Sequence, residues 1–268
     1  MVSVGVVGHP VKHSRSPHIF QHWFTRYNVN ARYELIPVPP EDADAFFENL
    51  PAAWTGVNVT IPHKETAARH VVCEGAGARL GVVNTLWRDG DRVCGTSSDG
   101  AGFVKSLDAD AAQWREGAGP CVIIGAGGAA VAIADALIAE GRTVIIANRT
   151  AERAEAVAAR TGATAHPLAT LADVLSEASL LINATSLGMA GQHPLDLDLA
   201  PLPNTAVVSD IVYNPLITPL LDHANRRGLA TVDGLGMLLH QATVGFEKWF
   251  GIAPEVDADL RNSVVATL

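Results

Sequence analysis

Short apolar runs of β-forming residues alternate with stretches of helical periodicity along the whole chain. Residues 2–7 form an apolar run that closes on Gly8. Ser16-Pro17 opens a predicted helix, with Ser16 as N-cap and Pro17 at the first helical position, where its missing N–H costs nothing. Ile19, Phe20, Trp23, Phe24 and Tyr27 follow at helical spacing and give one apolar face. Strands are predicted over 33–38 and 56–61, with a helix over 41–50 between them. Pro62-His63 leads into a helix through His70. Residues 82–87 and 92–95, around Asp89-Gly90-Asp91, predict a hairpin, and a helix is expected from Asp99 to about Leu107.

A second series begins at residues 121–124, a buried strand by pattern, followed by Gly125-Ala126-Gly127-Gly128-Ala129 and a helix to about Glu140. Further strands are predicted over 143–147, 180–182, 206–209 and 230–232, and helices over 151–160, 217–227 and 235–250. This alternation argues for an α/β fold with parallel sheets covered on both faces. A stretch of Asp, Ala, Gly and Pro between Leu107 and Pro120 separates the two series. We therefore expect two domains, 1–107 and 108–237, with the helices of about 238–268 returning to the first.

Composition narrows the picture. Of 268 residues, 48% are hydrophobic and 18% charged, which is globular rather than disordered. The net charge of −9 and the lack of a basic stripe disfavour nucleic acid as a partner. Cys73, Cys94 and Cys121 are scattered, with no Cys-x-x-Cys, so neither a disulfide framework nor a zinc site is expected. No leader pattern and no run approaching a membrane span is seen, which predicts a cytoplasmic protein without membrane partners. His9, His13, His18 and His22 cluster without Cys or carboxylate at ligand spacing, so no metal is expected.

The chemistry concentrates in a few motifs. Gly125-x-Gly127-Gly128-Ala129 joins a strand to a helix, where small residues admit a pyrophosphate and the helix N-terminus offers free N–H groups. At the end of the next strand, where a carboxylate selects NAD, the chain has Asn148-Arg149-Thr150, with Arg153 beyond. An amide, a hydroxyl and guanidinium groups attract a 2′-phosphate, which predicts NADP. Ser14 and Ser16 sit at a strand-to-helix junction, where both hydroxyls can address one small anion. Asn58-Val-Thr60-Ile-Pro-His-Lys64 runs off a strand end, a sensible place for a catalytic amine on Lys64. Asp99 reads equally as a helix N-cap or as a functional carboxylate.

Taken in order, His13-Ser-Arg-Ser-Pro17, Asn58 to Lys64, Asn84-Thr85, Asp99-Gly100, Gly125 to Ala129, Asn148-Arg-Thr150, Asn183-Ala-Thr-Ser-Leu-Gly-Met189, Asp210-Ile-Val-Tyr-Asn-Pro215 and Asp233-Gly-Leu-Gly-Met-Leu238 with Gln241 resemble the shikimate dehydrogenase family. The resemblance implies a substrate domain and a Rossmann-like doubly wound NADP domain with the active site in a cleft. It implies the reversible reduction of 3-dehydroshikimate to shikimate, in aromatic amino acid biosynthesis, by a monomer or homodimer. By the same resemblance Lys64 and Asp99 are the catalytic pair. Ser14 and Ser16 bind the substrate carboxylate; Thr60, Asn84, Gln241 and Tyr213 complete the substrate side. Gly125, Gly127, Gly128, Ala129, Asn148, Arg149, Thr150 and Arg153 match cofactor positions. Thr185, Ser186, Gly234 and Met237 match the nicotinamide side.

One departure stands out. The family usually has Asn-Thr before the aspartate, and this chain has Ser97-Ser98. That leaves open a paralogue acting on quinate or an analogue, or one with a different cofactor preference. A non-catalytic NADP-binding module is the rival from another class, and the presence of both Lys64 and Asp99 argues against it.

Overall fold

β1 (Val2–Gly8) is buried along all but its first residue and has parallel neighbours on both sides, which is why, Ser3 apart, its sequence carries no polar alternation. α1 (Ser16–Arg26), β2 (Ala31–Pro37), α2 (Ala43–Glu48), β3 (Trp54–Val59), α3 (Lys64–Arg69), β4 (Val72–Cys73), α4 (Ala76–Leu80), β5 (Thr85–Asp89) and β6 (Arg92–Thr96) follow. The strands form one sheet in the order β2-β1-β3-β5-β6-β4. The sheet is mixed rather than parallel, because the hairpin at Gly90 reverses the chain and sets β5 antiparallel to both β3 and β6. The start of α1 also differs from expectation. Ser16 is its first helical residue and buried, Arg15 holds the N-cap position, and neither caps through its side chain. Instead the Ser14 hydroxyl accepts the Ser16 N–H at 3.3 Å.

The computed structural model describes all 268 residues and divides into two compact units, Met1–Ser98 with Gln241–Leu268, and Asp99–His240. In the second unit α5 (Asp99–Asp110), β7 (Cys121–Ile124), α6 (Gly128–Ala139), β8 (Val144–Asn148), α7 (Ala151–Thr161), β9 (Thr164–Pro167), α8 (Ala172–Leu175), β10 (Leu180–Asn183), β11 (Val207–Asp210), α9 (Pro219–Arg226), β12 (Ala230–Val232) and the start of α10 (Gly234–Phe250) succeed one another. All six strands are parallel, ordered β12-β11-β10-β7-β8-β9, the doubly wound pattern. α5 opens this unit, ahead of the composition break at 107–120. It packs so tightly on α6 that a Cβ on Gly100 would stand 2.3 Å from the Ala132 carbonyl oxygen.

The remainder of α10 and α11 (Ala258–Val265) complete the first unit. Phe246 and Trp249 join Phe20, Trp23, Phe24 and Tyr33 in one aromatic cluster. The Trp249 indole N–H donates to the Leu86 carbonyl at 2.8 Å across Gly56, where a Cβ would meet that indole nitrogen at 2.0 Å. Glycine at position 56 is thus what lets α10 rest on the sheet. No helix is long and apolar enough to cross a membrane.

Candidate active site

In the first unit β1, β3 and β6 run in one direction and β5 in the other. The ends of the first three and the start of β5 therefore share one edge of the sheet. Ser14 and Ser16 follow β1, Thr60 and Lys64 follow β3, Asn84 precedes β5, and Ser97-Ser98 follows β6. Topology alone gathers them.

Hydrogen bonds fix their arrangement. The backbone N–H of Ser98 donates to Asn84 Oδ1 at 2.7 Å, and the Ser98 hydroxyl reaches the same oxygen at 3.1 Å. Asn84 Nδ2 donates to Gln241 Oε1 at 3.3 Å. Behind this pair Thr85 Oγ1 meets Ser98 Oγ at 3.3 Å and accepts from Asn58 Nδ2 at 3.2 Å. Asn58 Oδ1 accepts the Tyr33 hydroxyl at 2.8 Å. Burial pushes the Tyr33 phenol well above its usual pKa, and the Ser16 hydroxyl bonding to it works against that shift. Ser16, Asn84 and Gln241, all named from sequence, are thus joined by Tyr33, Asn58, Thr85 and Ser98, none of which sequence reasoning assigned a role. Asn58 and Thr85 meet because they are register partners on β3 and β5.

Lys64 is the first residue of α3 and half-buried. Its carbonyl accepts the Val83 N–H at 3.1 Å, and the Val59 N–H donates to the Asn84 carbonyl at 2.8 Å. These two bonds lace the turn that carries Thr60 and Lys64 to the segment that carries Asn84. His63 anchors the same turn from below. The residue is 1% exposed and its Nε2 lies 2.7 Å from the Val38 carbonyl oxygen. Asp99, buried at the head of α5, is peptide-bonded to Ser98 and belongs by its contacts to the second unit.

In the second unit the parallel strands again place the named residues at one edge. Gly125, Gly127, Gly128 and Ala129 follow β7, and Asn148, Arg149, Thr150 and Arg153 close β8 and open α7. Thr185 and Ser186 follow β10, Tyr213 follows β11, and Gly234 and Met237 open α10. β7 lies between β10 and β8, so the strand order reverses there, the switch point where α/β sheets bind ligands. Gly125 has φ +116°, which L side chains rarely adopt, and a Cβ there would press on the Ala184 carbonyl at 2.9 Å. Gly127 and Gly128 face open space, and Gly127 N-caps α6 without a side-chain bond.

These residues fit a dinucleotide. Open ground over two glycines at an uncapped helix start is a cradle for a pyrophosphate. The Asn148 amide donates to the Thr150 carbonyl at 3.0 Å, and Arg149, Thr150 and Arg153 are exposed beside it. Within this edge Arg149 and Arg153 flank one exposed carboxylate, Glu152 in the first turn of α7.

Three family models match this chain. The shikimate dehydrogenase substrate binding domain matches residues 6–86, the shikimate/quinate 5-dehydrogenase model residues 117–195, and the shikimate 5′-dehydrogenase C-terminal domain residues 234–261. A shikimate dehydrogenase (NADP(+)) of Chelativorans sp. is 49% identical over 98% of this chain and 95% of its own. The chain belongs to the shikimate dehydrogenase family. Among solved structures, the shikimate 5-dehydrogenase of Thermus thermophilus in complex with NADP(H) and shikimate superposes with a TM-score of 0.91 at 33% identity, covering all of both chains. A quinate dehydrogenase of Corynebacterium glutamicum in complex with NAD has a TM-score of 0.89 at 25% identity over 99% of each chain. These two solved structures share this chain's fold, one in complex with NADP(H) and shikimate and the other a quinate dehydrogenase in complex with NAD.

Proposed function

We infer that this chain is an NADP-dependent oxidoreductase that interconverts 3-dehydroshikimate and shikimate. The observation that carries this reading is the meeting of Asn84, Ser98 and Gln241 in one buried polar network at the sheet edge that also bears Ser14, Ser16, Thr60 and Lys64. The full-length likeness to relatives named shikimate dehydrogenase (NADP(+)) supports it.

NADPH, when bound, supplies a hydride to the substrate carbonyl carbon. The rest is done by the chain's own side chains. Ser14 and Ser16 hold the substrate carboxylate by hydroxyl donation. Asn84, Thr60 and Gln241 take the ring hydroxyls, and Tyr213 is a further substrate-side residue. Negative charge developing on the carbonyl oxygen is met by the Lys64 ammonium, which stabilises it and delivers a proton from Nζ. Asp99 is the carboxylate of the catalytic pair. Arg149 and Arg153 hold the 2′-phosphate, with Asn148 and Thr150 shaping the turn. The protein acts in the cytoplasm as a monomer or homodimer.

A second reading, a quinate-active relative, is favoured by Ser97-Ser98 in place of Asn-Thr. One spectrophotometric assay separates the two, with shikimate and quinate each paired with NADP and NAD. The highest kcat/KM is expected for shikimate with NADP. A higher value for quinate would replace the substrate assignment, and a higher value with NAD would replace the cofactor assignment.

A further inference from the structure

Asp210 is the last residue of β11 and is 0% exposed, the one fully buried carboxylate among the buried charged residues. No step proposed above uses it. Its Oδ1 accepts Asn183 Nδ2 and the Val212 N–H, each at 3.0 Å, and its Oδ2 accepts the Thr218 hydroxyl at 2.7 Å. Burial pushes this carboxyl up, and the bonds from Val212, Thr218 and Asn183 work the other way.

The consequence passes to the next turn. A carboxylate only accepts, so Asn183 must present its NH2 to Asp210. Asn183 Oδ1 is thereby turned toward Thr185, where it accepts the Thr185 N–H at 3.0 Å and the Thr185 hydroxyl at 2.7 Å. Asn183 Nδ2 also donates to the Leu187 carbonyl at 3.0 Å, and Thr185 Oγ1 accepts the Leu187 N–H at 3.1 Å. One buried carboxylate therefore sets the shape of two turns at the ligand edge, residues 183–188 and residues 210–218. A dinucleotide laid across the switch point places one half over β8 and the other over β10 and β11. Both turns lie on the β10–β11 side.

We propose that Asp210 is a positioning residue for the nicotinamide half of the cofactor, acting through Asn183 on Thr185 and Ser186. The proposal rests on the reading that NADP docks on this edge. It is specific to one half of the ligand, because Asp210 bonds nothing in Gly125–Ala129 or in the Asn148–Arg153 stretch. Asp210→Asn keeps the size but brings an NH2 into a set of three donors, so one of them loses its acceptor.

The test compares two ligands by calorimetry, NADP and adenosine 2′,5′-bisphosphate, which carries only the adenine half. For Asp210→Asn the Kd of NADP is expected to rise about tenfold, while that of adenosine 2′,5′-bisphosphate stays within about twofold. Equal weakening of both ligands overturns the proposal, since Asp210 would then only hold the unit together. No weakening of NADP overturns it as well. Should Asp210→Asn not fold, Thr218→Val removes one donor and is expected to show the same split at smaller size, with Thr218→Ser restoring it; an unsplit loss overturns the proposal. Wild-type protein that binds neither ligand removes the NADP reading itself. Wild-type binding with an unaltered Asp210→Asn variant removes only this inference.

Discussion

The Ser98 backbone N–H, 2.7 Å from Asn84 Oδ1, decides which end of the Asn84 amide faces Gln241. A backbone N–H can only donate, so the oxygen must turn toward it and the NH2 toward Gln241. Asn84→Asp replaces that NH2 by a second acceptor opposite Gln241 Oε1. The KM for shikimate is expected to rise about tenfold or more, with the KM for NADPH within about twofold, by steady-state kinetics. An unchanged shikimate KM would remove Asn84 from substrate recognition.

Lys64 heads α3, and its carbonyl is tied to Val83. Lys64→Ala is expected to lower kcat by about 100-fold or more, as for loss of a positioned acid that also stabilises developing charge. NADPH binding is expected to be unaltered, because Lys64 lies in the other unit from the glycine turn. Single-turnover rates with saturating cofactor make the measurement, and full turnover would take Lys64 out of the chemistry.

Arg149 is exposed at the end of β8. Arg149→Asp puts a carboxylate where we propose that the 2′-phosphate is read. It is expected to raise the KM for NADPH about tenfold or more and to improve relative use of NADH. Paired assays with the two cofactors check this, and an unchanged ratio would move phosphate recognition elsewhere.

Asp257 caps α11 by accepting the Leu260 N–H at 2.9 Å, and it pairs with Arg26. The cap bond first, and Arg26 after it, hold its carboxyl below the usual value. A depressed folded value contributes stability above the unfolded carboxylate pKa, ~3.9, that is lost as pH falls through the lower folded value. Asp257→Ala is therefore expected to lower Tm at pH 7 and to lose much of that deficit near pH 3. Thermal unfolding at the two pH values measures it, and an equal deficit at both would show the charge to be irrelevant.

The doubly wound half was legible because parallel buried strands, glycine turns and helices leave strong local marks, as at residues 121–129. The first half was harder. β4 and α4 are too short to show a period, and α11 carries a weak apolar face. The pattern made Ser16 the N-cap of α1, one residue too far along the chain, since Arg15 holds that position. Only the backbone angles show that Ser16 is already inside the helix. Tyr33, Asn58, Thr85 and Ser98 were passed over for a different reason. Their meeting depends on pairing between strands remote in the chain, which composition and spacing do not encode.

The first sheet borrows Phe246 and Trp249 from beyond the whole doubly wound segment. A ribosome emitting this chain therefore finishes the second unit before the first can close its aromatic cluster. Until Trp249 emerges, Phe20, Trp23 and the groove over Gly56 lack their cover, so the nascent amino-terminal half must wait with apolar surface exposed. A carboxyl terminus clipped before Trp249 would thus uncover the part of the molecule that was translated earliest.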